Sequence, residues 1–351
     1  MNGVPRLCKL AGCIEMVSTH IQLCYSVDSM ATKVPGVVRV LSIDGGGIRG
    51  IIPAMVLQRI EETTGQAIGD LFDLIAGTST GGLIALALSR RREDRTPALA
   101  AHEVVDLYLR HGPTIFGRST WRRITKLGSM LGPKYCARRL EAILDQYLGD
   151  VELAGLAPDV LITGYELHHR DPMYFRSRLA RTASAMENYR ARDVGRATTA
   201  APTYFSPASI SPIRAAHRVC CVDGGVFANN PSLSAYIEAM QLYPRTSVLM
   251  VSLGTGDVRD SIEFESACRW GVAGWARPLV SVVLDGTSQA THYHMENLLG
   301  ERDYFRFQVG LPRGGIGLDA VDPQSLATLQ LLGRYLLLRQ RGRLEELCRR
   351  L

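Results

Sequence analysis

Residues 37–50 read VVRVLSIDGGGIRG, and the interpretation of the chain starts at this stretch. The first seven residues are rich in β-branched side chains, which is typical of a buried strand. Four glycines then fall within six residues. After them the apolar positions recur with helical spacing, and Pro53 is tolerated in the first helical turn. A strand, a glycine loop and a helix in this order predict the start of an α/β fold.

The glycine loop has two interpretations. The spacing of Gly45, Gly47 and the last glycine of the loop satisfies G-x-G-x-x-G, the pattern of dinucleotide sites. Such a site also requires an acid about 20 residues further on, at the end of a second strand. Asp70 and Asp73 have roughly that separation, but they precede another turn motif. Alternatively, the N–H groups of Gly45, Gly46 and Gly47 line an oxyanion hole, because glycine lets the backbone approach a substrate closely.

A second strand, turn and helix follow. A strand is expected at residues 71–76, which are apolar except for Asp73, and a helix is expected from Leu83. Between them, Gly77-Thr-Ser-Thr-Gly81 matches G-x-S-x-G, the nucleophile elbow of serine hydrolases. Such a sharp turn leaves no room for side chains two residues before and after Ser79, and it exposes the serine hydroxyl. The positive N-terminus of the helix then points at the reacting centre, so Ser79 is a predicted nucleophile.

A serine nucleophile needs a base, and Asp223 is the candidate. It follows the apolar run 219–222 and precedes Gly224 and Gly225, so it stands at a strand end, where the active sites of open α/β sheets gather. A free carboxylate, with a pKa of about 3.9, is a weak base for an alcohol. It can act through a direct hydrogen bond in a water-poor site with a stabilised oxyanion. The alternative role for Asp223 is to cap the turn.

The histidines offer an alternative to a dyad. A Ser–His–Asp hydrolase has its histidine after the acid, and His292 and His294 occupy that part of the chain. Both fall in an expected helix, which favours a polar helix face or a contact beside the site over catalysis. Their spacing places them on different helix faces, which argues against a shared metal ion.

The remaining segments alternate between strands and helices. Strands are expected at 160–165, 173–175, 219–222 and 247–253, and helices at 99–110, 137–148, 232–241 and 323–349. This alternation predicts α/β layers around a largely parallel sheet. Residues 1–35 fit no clear element and are expected to be an N-terminal extension. A signal peptide is not expected, because Arg6 and Lys9 interrupt its apolar part.

Composition narrows the class of protein. The 351 residues are 46% hydrophobic, which suffices for a large core, and the net charge of +6 suits an anionic surface, either lipid headgroups or nucleic acid. No apolar run approaches the ~20 residues of a membrane-spanning helix. The eight cysteines are irregularly spaced, which argues against a disulfide framework or a zinc site. Residues 112–139 combine apolar and basic side chains without an acid, as expected of a lid or a membrane-contact insertion.

Three motifs stand in order along the chain: Asp44-Gly-Gly-Gly-Ile-Arg-Gly50, Gly77-Thr-Ser-Thr-Gly81 and Asp223-Gly-Gly225, with ATTAAPTYF at 197–205 and GGVFANNP at 224–231. In order and loop placement they resemble the patatin-like phospholipase family over about residues 36–310. The resemblance implies a patatin-like three-layer α/β fold, with a central, mostly parallel sheet flanked by helices. Residues 311–351 are expected to be a C-terminal helical segment packed on this catalytic domain.

The resemblance also implies roles for individual residues. Ser79 would be the acyl-accepting nucleophile and Asp223 its dyad partner. The amides of Gly45, Gly46 and Gly47 would form the oxyanion hole, with Arg49 supporting it or binding a phosphate. The glycines of the elbow and of the dyad motif would be Gly77, Gly81, Gly224 and Gly225. The family often has alanine where this chain has Gly225, a small departure.

The activity implied is a serine acyl hydrolase that cleaves fatty-acyl esters of membrane glycerophospholipids, without a cofactor or a metal. It would act from the cytoplasm at the inner face of the membrane. An acyltransferase that uses the same acyl-enzyme stays open. Some bacterial members of the family are antiphage effectors switched on by a cyclic dinucleotide, and the compact size and basic charge are compatible with such an activator. A homodimer or higher oligomer is also compatible, and a nucleic acid polymer is not an expected partner.

Overall fold

The computed structural model describes residues 36–117, 132–182, 187–258, 262–275 and 278–351. The chain divides into two units, Met1–Gly36 and Val37–Leu351, and every element below belongs to the second. The expected N-terminal extension, 1–35, and the middle of the expected insertion, 118–131, lie outside the described residues.

Among the described residues, eight strands form a mostly parallel sheet at the centre of the second unit. Its strands are β1 Val37–Ile43, β2 Leu74–Gly77, β3 Asp159–Glu166, β4 Asp171–Arg176, β5 Ala208–Ile210, β6 Val219–Asp223, β7 Ser247–Leu253 and β8 Tyr304–Phe307. They lie in the order β5-β6-β3-β2-β1-β7-β8, and β4 pairs with β3. The part from β3 through β2, β1 and β7 to β8 is parallel, and the pairs that involve β4, β5 and β6 are antiparallel.

Helices surround this sheet. They are α1 Ile51–Thr64, α2 Ile68–Leu71, α3 Thr80–Leu88, α4 Ala101–Phe116, α5 Arg138–Leu148, α6 Ser177–Thr182, α7 Ala191–Thr198, α8 Gly225–Ala228, α9 Ser232–Leu242, α10 Phe264–Ala267, α11 Val272–Trp275, α12 Pro278–Asp303, α13 Pro323–Arg339 and α14 Arg341–Arg350. A turn of 3₁₀ helix, Gly47–Gly50, precedes α1. Among the described helices, none has the length and apolar character needed to cross a membrane.

The core lies on both faces of the sheet, as β1 illustrates. Successive side chains of a strand point to opposite faces. Val38 and Val40 pack in a cluster with Ala235 of α9, whereas Leu41 and Ile43 pack in a larger cluster that includes residues of α1, α3 and α13. Helices therefore cover both faces, which confirms the predicted three-layer α/β class.

Several predicted element bounds are wrong. The second strand begins at Leu74 and not at residue 71, because Ile68–Leu71 is a short helix. The next helix begins at Thr80, directly after the elbow serine. The expected helix 323–349 is divided into α13 and α14 at Gln340. Elements β5, β8 and α7 were not predicted from the sequence, and of α12 only the part around His292 and His294 was expected to be helical.

Strand β3 brings the ends of β2 and β6 together. Because β4 pairs with β3 over residues 161–166, β2 and β6 share the opposite edge of β3. Gly77, the last residue of β2, pairs with Ile162, and Asp223, the last residue of β6, pairs with Gly164. Since β2 is parallel to β3 and β6 is antiparallel, the two strands run towards each other and end two residues apart along β3. The sequence predicted that strand ends gather on one side of a parallel sheet, but the antiparallel course of β6 is the actual cause.

Candidate active site

Ser79 stands at a sharp turn between β2 and α3. Its backbone has φ 53° and ψ −119°, a left-handed conformation that is strained for a residue with a side chain and that is found at functional turns. A Cβ on Gly77 would lie 2.2 Å from the carbonyl oxygen of Gly81, and a Cβ on Gly81 would lie 2.1 Å from that of Ile43. The close approach of these backbones therefore requires both glycines of the turn.

Threonines hold this turn in place. The Ser79 N–H donates to the Thr198 hydroxyl of α7 at 2.9 Å. The buried Thr78 hydroxyl lies 2.6 Å from the carbonyl oxygen of Ala228 in α8 and 2.7 Å from the hydroxyl of Thr163 in β3. The position of the serine thus depends on three neighbouring elements.

Asp223 meets Ser79 at the end of β6. The Ser79 side chain lies beside the Asp223 carboxylate, and the Gly225 N–H donates to Asp223 Oδ1 at 2.8 Å. Burial raises the pKa of the Asp223 carboxyl to about 6, although the interactions with Ser79 and with the Gly225 N–H act in the opposite direction. Near neutral pH the carboxylate is therefore mostly charged, yet it is a stronger base than a free aspartate.

The glycine loop lies beside Ser79. A Cβ on Gly45 would come within 3.4 Å of the Ser79 Cβ, so the two segments are in close contact. The Gly45 N–H donates to the Asn229 carbonyl at 2.9 Å and is therefore already used. Among the described residues, the N–H groups of Gly46 and Gly47 have no acceptor. Of the three expected oxyanion donors, these two are available to a ligand.

Two distant segments clamp the loop. The carbonyl oxygen of Leu318 accepts the Ile48 N–H at 2.8 Å. The same oxygen would lie only 2.2 Å from a Cβ on Gly47, whose φ is 58°. On another side, the Thr255 hydroxyl donates to the Gly45 carbonyl at 2.7 Å. A Cβ on Gly46 would lie 2.3 Å from the same hydroxyl oxygen. The backbone of the loop is thus fixed before any ligand binds.

A buried ion pair anchors the start of the loop. Arg306 of β8 donates from Nη1 to Asp44 Oδ1 at 2.8 Å and from Nη2 to Asp44 Oδ2 at 2.6 Å, and the Ser288 hydroxyl adds a hydrogen bond to Oδ2 at 3.2 Å. Burial alone would lower the pKa of the Arg306 guanidinium, but the Asp44 carboxylate outweighs burial and raises it. This pair was not predicted from the sequence. The arginine inside the apolar run YFRF of β8 was the available signal.

Arg49 is buried at the edge of the same site. Its Nε lies 3.4 Å from the Gly46 carbonyl oxygen, a long contact. Burial lowers the pKa of the Arg49 guanidinium, and the nearby Asp285 carboxylate opposes this effect most strongly. Within the described part of the chain, no carboxylate forms an ion pair with Arg49. Its charge is therefore available to an anion in the site.

A cavity of about 420 Å³ opens beside Ser79. Its polar end consists of the glycine loop, Arg49, Ser79, Asp223 and Asn229. Its walls are apolar and come from α3, α4, α5 and the start of α12, with side chains that include Leu83, Ile84, Ala87, Val104, Leu107, Ile115, Phe116, Leu140, Ile143, Leu144, Leu279, Val280 and Val283. The shape and chemistry suit an apolar chain that carries a polar, reactive head.

The two histidines considered as alternatives do not line this cavity. The His292 ring packs against the Tyr304 ring with centroids 5.6 Å apart, and burial lowers the pKa of its imidazole. The His294 ring packs edge-on against Tyr293 at 5.9 Å. In the described ranges, no group of three His, Cys, Asp or Glu side chains could hold a metal ion. The described cysteines are free thiols: Cys136, Cys220, Cys221, Cys268 and Cys348.

Comparison with known proteins gives matches over most of the chain. The family model described as patatin-like phospholipase matches residues 41–236. Patatin-like protein 2 of Oryza sativa subsp. japonica is 31% identical over 341 residues, which cover 86% of this chain and 84% of that protein. Patatin-T5 of Solanum tuberosum is 31% identical over 326 residues, which cover 84% of this chain and 81% of that protein. The structure of VipD from Legionella pneumophila is similar at a TM-score of 0.39 and 10% identity, over 91% of this chain and 72% of that chain.

Proposed function

Since the chain belongs to the patatin-like phospholipase family and is a lipid acyl hydrolase, we propose that Ser79 and Asp223 are its catalytic dyad. The observation that carries the proposal is the head-on meeting of β2 and β6. With the two strand ends side by side, the Ser79 hydroxyl and the buried Asp223 carboxylate are neighbours at the polar end of an apolar cavity, which supports the proposal. Among the described residues, His111 is the one histidine that lines this cavity, and its Nε2 lies 3.1 Å from the Tyr147 hydroxyl. Asp223 is the proposed base, because it is the carboxylate that lies beside Ser79.

The chemistry begins with acyl transfer to the serine. Ser79 Oγ attacks the ester carbonyl carbon while its proton passes to the Asp223 carboxylate. The tetrahedral intermediate collapses, the bond to the alcohol oxygen breaks, and the leaving alcohol takes the proton back from Asp223. Water then attacks the acyl-serine, gives a proton to Asp223, and releases the fatty acid as Ser79 regains its hydrogen. Each proton thus returns to its starting point.

The oxyanion would be held by backbone donors. The unused N–H groups of Gly46 and Gly47 are the candidates, because the Gly45 N–H is committed to Asn229. The N-terminus of α3, which begins at Thr80, adds a partial positive charge beside the serine. Donors fixed in advance stabilise the developing charge without having to reorganise. Arg49, the buried cation at the edge of the site, is the proposed contact for the phosphate of the substrate.

The substrate proposed is a glycerophospholipid with one acyl chain in the apolar cavity. Burying each methylene of that chain contributes about 0.8 kcal/mol, so long-chain esters are expected to bind best. A role of residues 112–139 as a lid stays a prediction. The same holds for the cyclic dinucleotide activator, the acyltransferase alternative and the oligomer, for which the described residues offer no specific contact.

The test is fatty-acid release from defined phospholipids, measured by mass. We expect the unmodified protein to release fatty acid without added metal. Ser79→Ala and Asp223→Ala are each expected to abolish release, while Ser209→Ala, at an exposed position of β5 outside the cavity lining, retains it. A Ser79→Ala variant that released fatty acid at the native rate would refute the proposal.

A further inference from the structure

An exposed apolar surface borders the candidate active site. It belongs to residues 262–284, called here the docking segment, of which the structure describes all except 276 and 277. The segment contains α10, α11 and the first turns of α12. Phe264 is 80% exposed and Val272 is 92% exposed. Further large apolar side chains of the segment are also exposed: Ile262, Trp275, Leu279, Val280, Val282 and Val283. Patches of this kind mark surfaces that bind another apolar surface.

The docking segment is continuous with the wall of the cavity. Leu279, Val280 and Val283 line the cavity and are at the same time exposed on the outside. Leu284 directly follows Val283, and its Cδ2 would lie 3.3 Å from a Cβ on Gly225, so this end of the segment covers the residues after Asp223. An apolar chain could therefore move from the outer surface to the catalytic residues without crossing water.

The chemistry of the segment favours a lipid bilayer as its occupant. Trp270 and Trp275 pack edge to face, with ring centroids 5.3 Å apart and an interplanar angle of 87°. Tryptophan is enriched where proteins meet the interface of a membrane. The segment carries two acids and two arginines, so its net charge is zero and it offers no attraction to anionic headgroups.

We propose that residues 262–284 are the membrane-docking surface, and that they seat the mouth of the cavity on the neutral, apolar part of a phospholipid bilayer. This inference rests on the proposed function, because the bilayer is then also the source of the substrate. The segment docks through apolar contacts. It therefore binds phosphatidylcholine without anionic lipid and persists in high salt, which screens charged contacts only.

The first experiment measures vesicle flotation in the Ser79→Ala background, so that binding is separated from hydrolysis. We expect Ser79→Ala protein to float with phosphatidylcholine vesicles, equally at 0.1 and about 0.5 M salt. Adding Phe264→Ser and Val272→Ser should weaken binding about tenfold or more, because two exposed apolar side chains are lost. The matched control adds Leu331→Ser and Leu338→Ser, two exposed leucines of α13 outside the cavity lining, and should bind as before.

Two further readouts separate loss of docking from loss of folding or of catalysis. With Ser79 intact, Phe264→Ser/Val272→Ser should hydrolyse a short, water-soluble ester at the native rate. If the proposed function is wrong, the unmodified protein will not hydrolyse the water-soluble ester. Vesicle flotation does not depend on hydrolysis, so it tests docking separately. The alternative occupant of the surface is a second copy of the chain. Sedimentation would then show a dimer for the unmodified protein and a monomer for Phe264→Ser/Val272→Ser, and the two proteins would bind vesicles equally.

Tryptophan fluorescence tests the proposal in a variant, Trp121→Phe, whose docking segment is unchanged. The chain has three tryptophans, and Trp121→Phe leaves only Trp270 and Trp275. Brominated phosphatidylcholine should quench the tryptophan fluorescence of this variant. It should not quench the fluorescence of Trp270→Phe/Trp275→Phe, which retains Trp121 of the basic stretch 112–139. Quenching of Trp121 alone, binding that requires anionic lipid and disappears in salt, or unchanged flotation of the Phe264→Ser/Val272→Ser protein would each overturn the proposal.

Discussion

Asp44 and Arg306 form a two-point ion pair that is almost wholly buried and that ties the first residue of the glycine loop to strand β8. The two residues are 262 positions apart, and the pair also contacts the Ser288 hydroxyl of α12. The backbone that presents Gly46 and Gly47 therefore depends on a residue outside the matched motifs. A buried charge that loses its partner is costly, since water cannot replace the missing contact.

Removal of Arg306 is predicted to destabilise the fold and the loop together. Arg306→Met leaves the Asp44 carboxylate buried without a cation, and the expected loss is about 3–5 kcal/mol in the free energy of unfolding, measured by urea denaturation. Arg341→Met is the control, because Arg341 pairs with Glu345 at the surface and should show no resolvable change. Equal stability of the two variants would contradict the anchoring role of the pair.

The glycine loop allows a matched comparison of two glycines. Gly47 and Gly65 both have a left-handed φ, 58° and 68°, but a Cβ on Gly47 would strike the Leu318 carbonyl, whereas a Cβ on Gly65 meets no atom within 4 Å. Gly65→Ala should cost about 1 kcal/mol and leave activity unchanged. Gly47→Ala must displace the loop, and kcat should fall about 100-fold or more if the Gly47 N–H is an oxyanion donor. Similar kcat values for the two variants would exclude that role.

Local sequence signals were sufficient for the motif-bearing part of the fold. The β-branched run of β1, the glycine loop and the elbow were each readable, because a strand and a tight turn are set by residues close together in the chain. The site pairing of Ser79 with Asp223 was also predicted, although for a different geometric reason. The ends of β2 and β6 meet because β6 runs antiparallel to β3. Strand pairing between residues far apart in the sequence leaves no periodic signal in either strand, so this geometry could not be predicted.

The contacts that the sequence did not reveal are long-range ones. The use of the Gly45 N–H by Asn229 depends on how the loop after β6 packs, so the choice between three glycine donors could not be made from their spacing. The partner of Asp44 lies in β8, a four-residue strand with an arginine inside it, which weakens the apolar pattern. The division between α13 and α14 falls at Gln340, and the nearby Gly342 lies inside α14, so the sequence from residue 323 to residue 349 predicted one helix.

The pH dependence of hydrolysis should follow Asp223. With a pKa of about 6, the carboxylate becomes protonated below that pH and can no longer accept the serine proton. For a neutral, water-soluble ester, kcat/KM is expected to be constant above about pH 7 and to fall about tenfold per pH unit below pH 6. Asp94→Asn, which removes an exposed carboxylate, should keep this profile. Full activity at pH 4.5 would rule out Asp223 as the base.

Stability should change with pH in the opposite sense. The folded pKa of Asp223, about 6, lies above the unfolded value of about 3.9, so the folded state binds the proton more tightly. The contribution of Asp223 to stability is therefore present below about pH 4 and is lost as the pH rises through 6. Relative to the unmodified protein, Asp223→Asn should gain on the order of 2 kcal/mol between pH 4 and pH 7.5. Urea denaturation at the two pH values measures this gain, and a constant difference between the proteins would contradict the raised pKa.

The depth of the cavity should set the preferred acyl length. Ser79, Leu83 and Ala87 follow one another at intervals of four residues, so they lie along one face of α3, and all three line the cavity. Ala87 lies about 12 Å along the helix axis from Ser79. Ala87→Phe should therefore block the deep end: the rate with a butyryl ester should stay within about threefold of the native rate, while that with a palmitoyl ester should fall about tenfold or more. Ala87→Gly, which adds space at the same position, should retain the palmitoyl rate. If Ala87→Phe slowed both esters equally, the acyl chain would have to lie elsewhere than along α3.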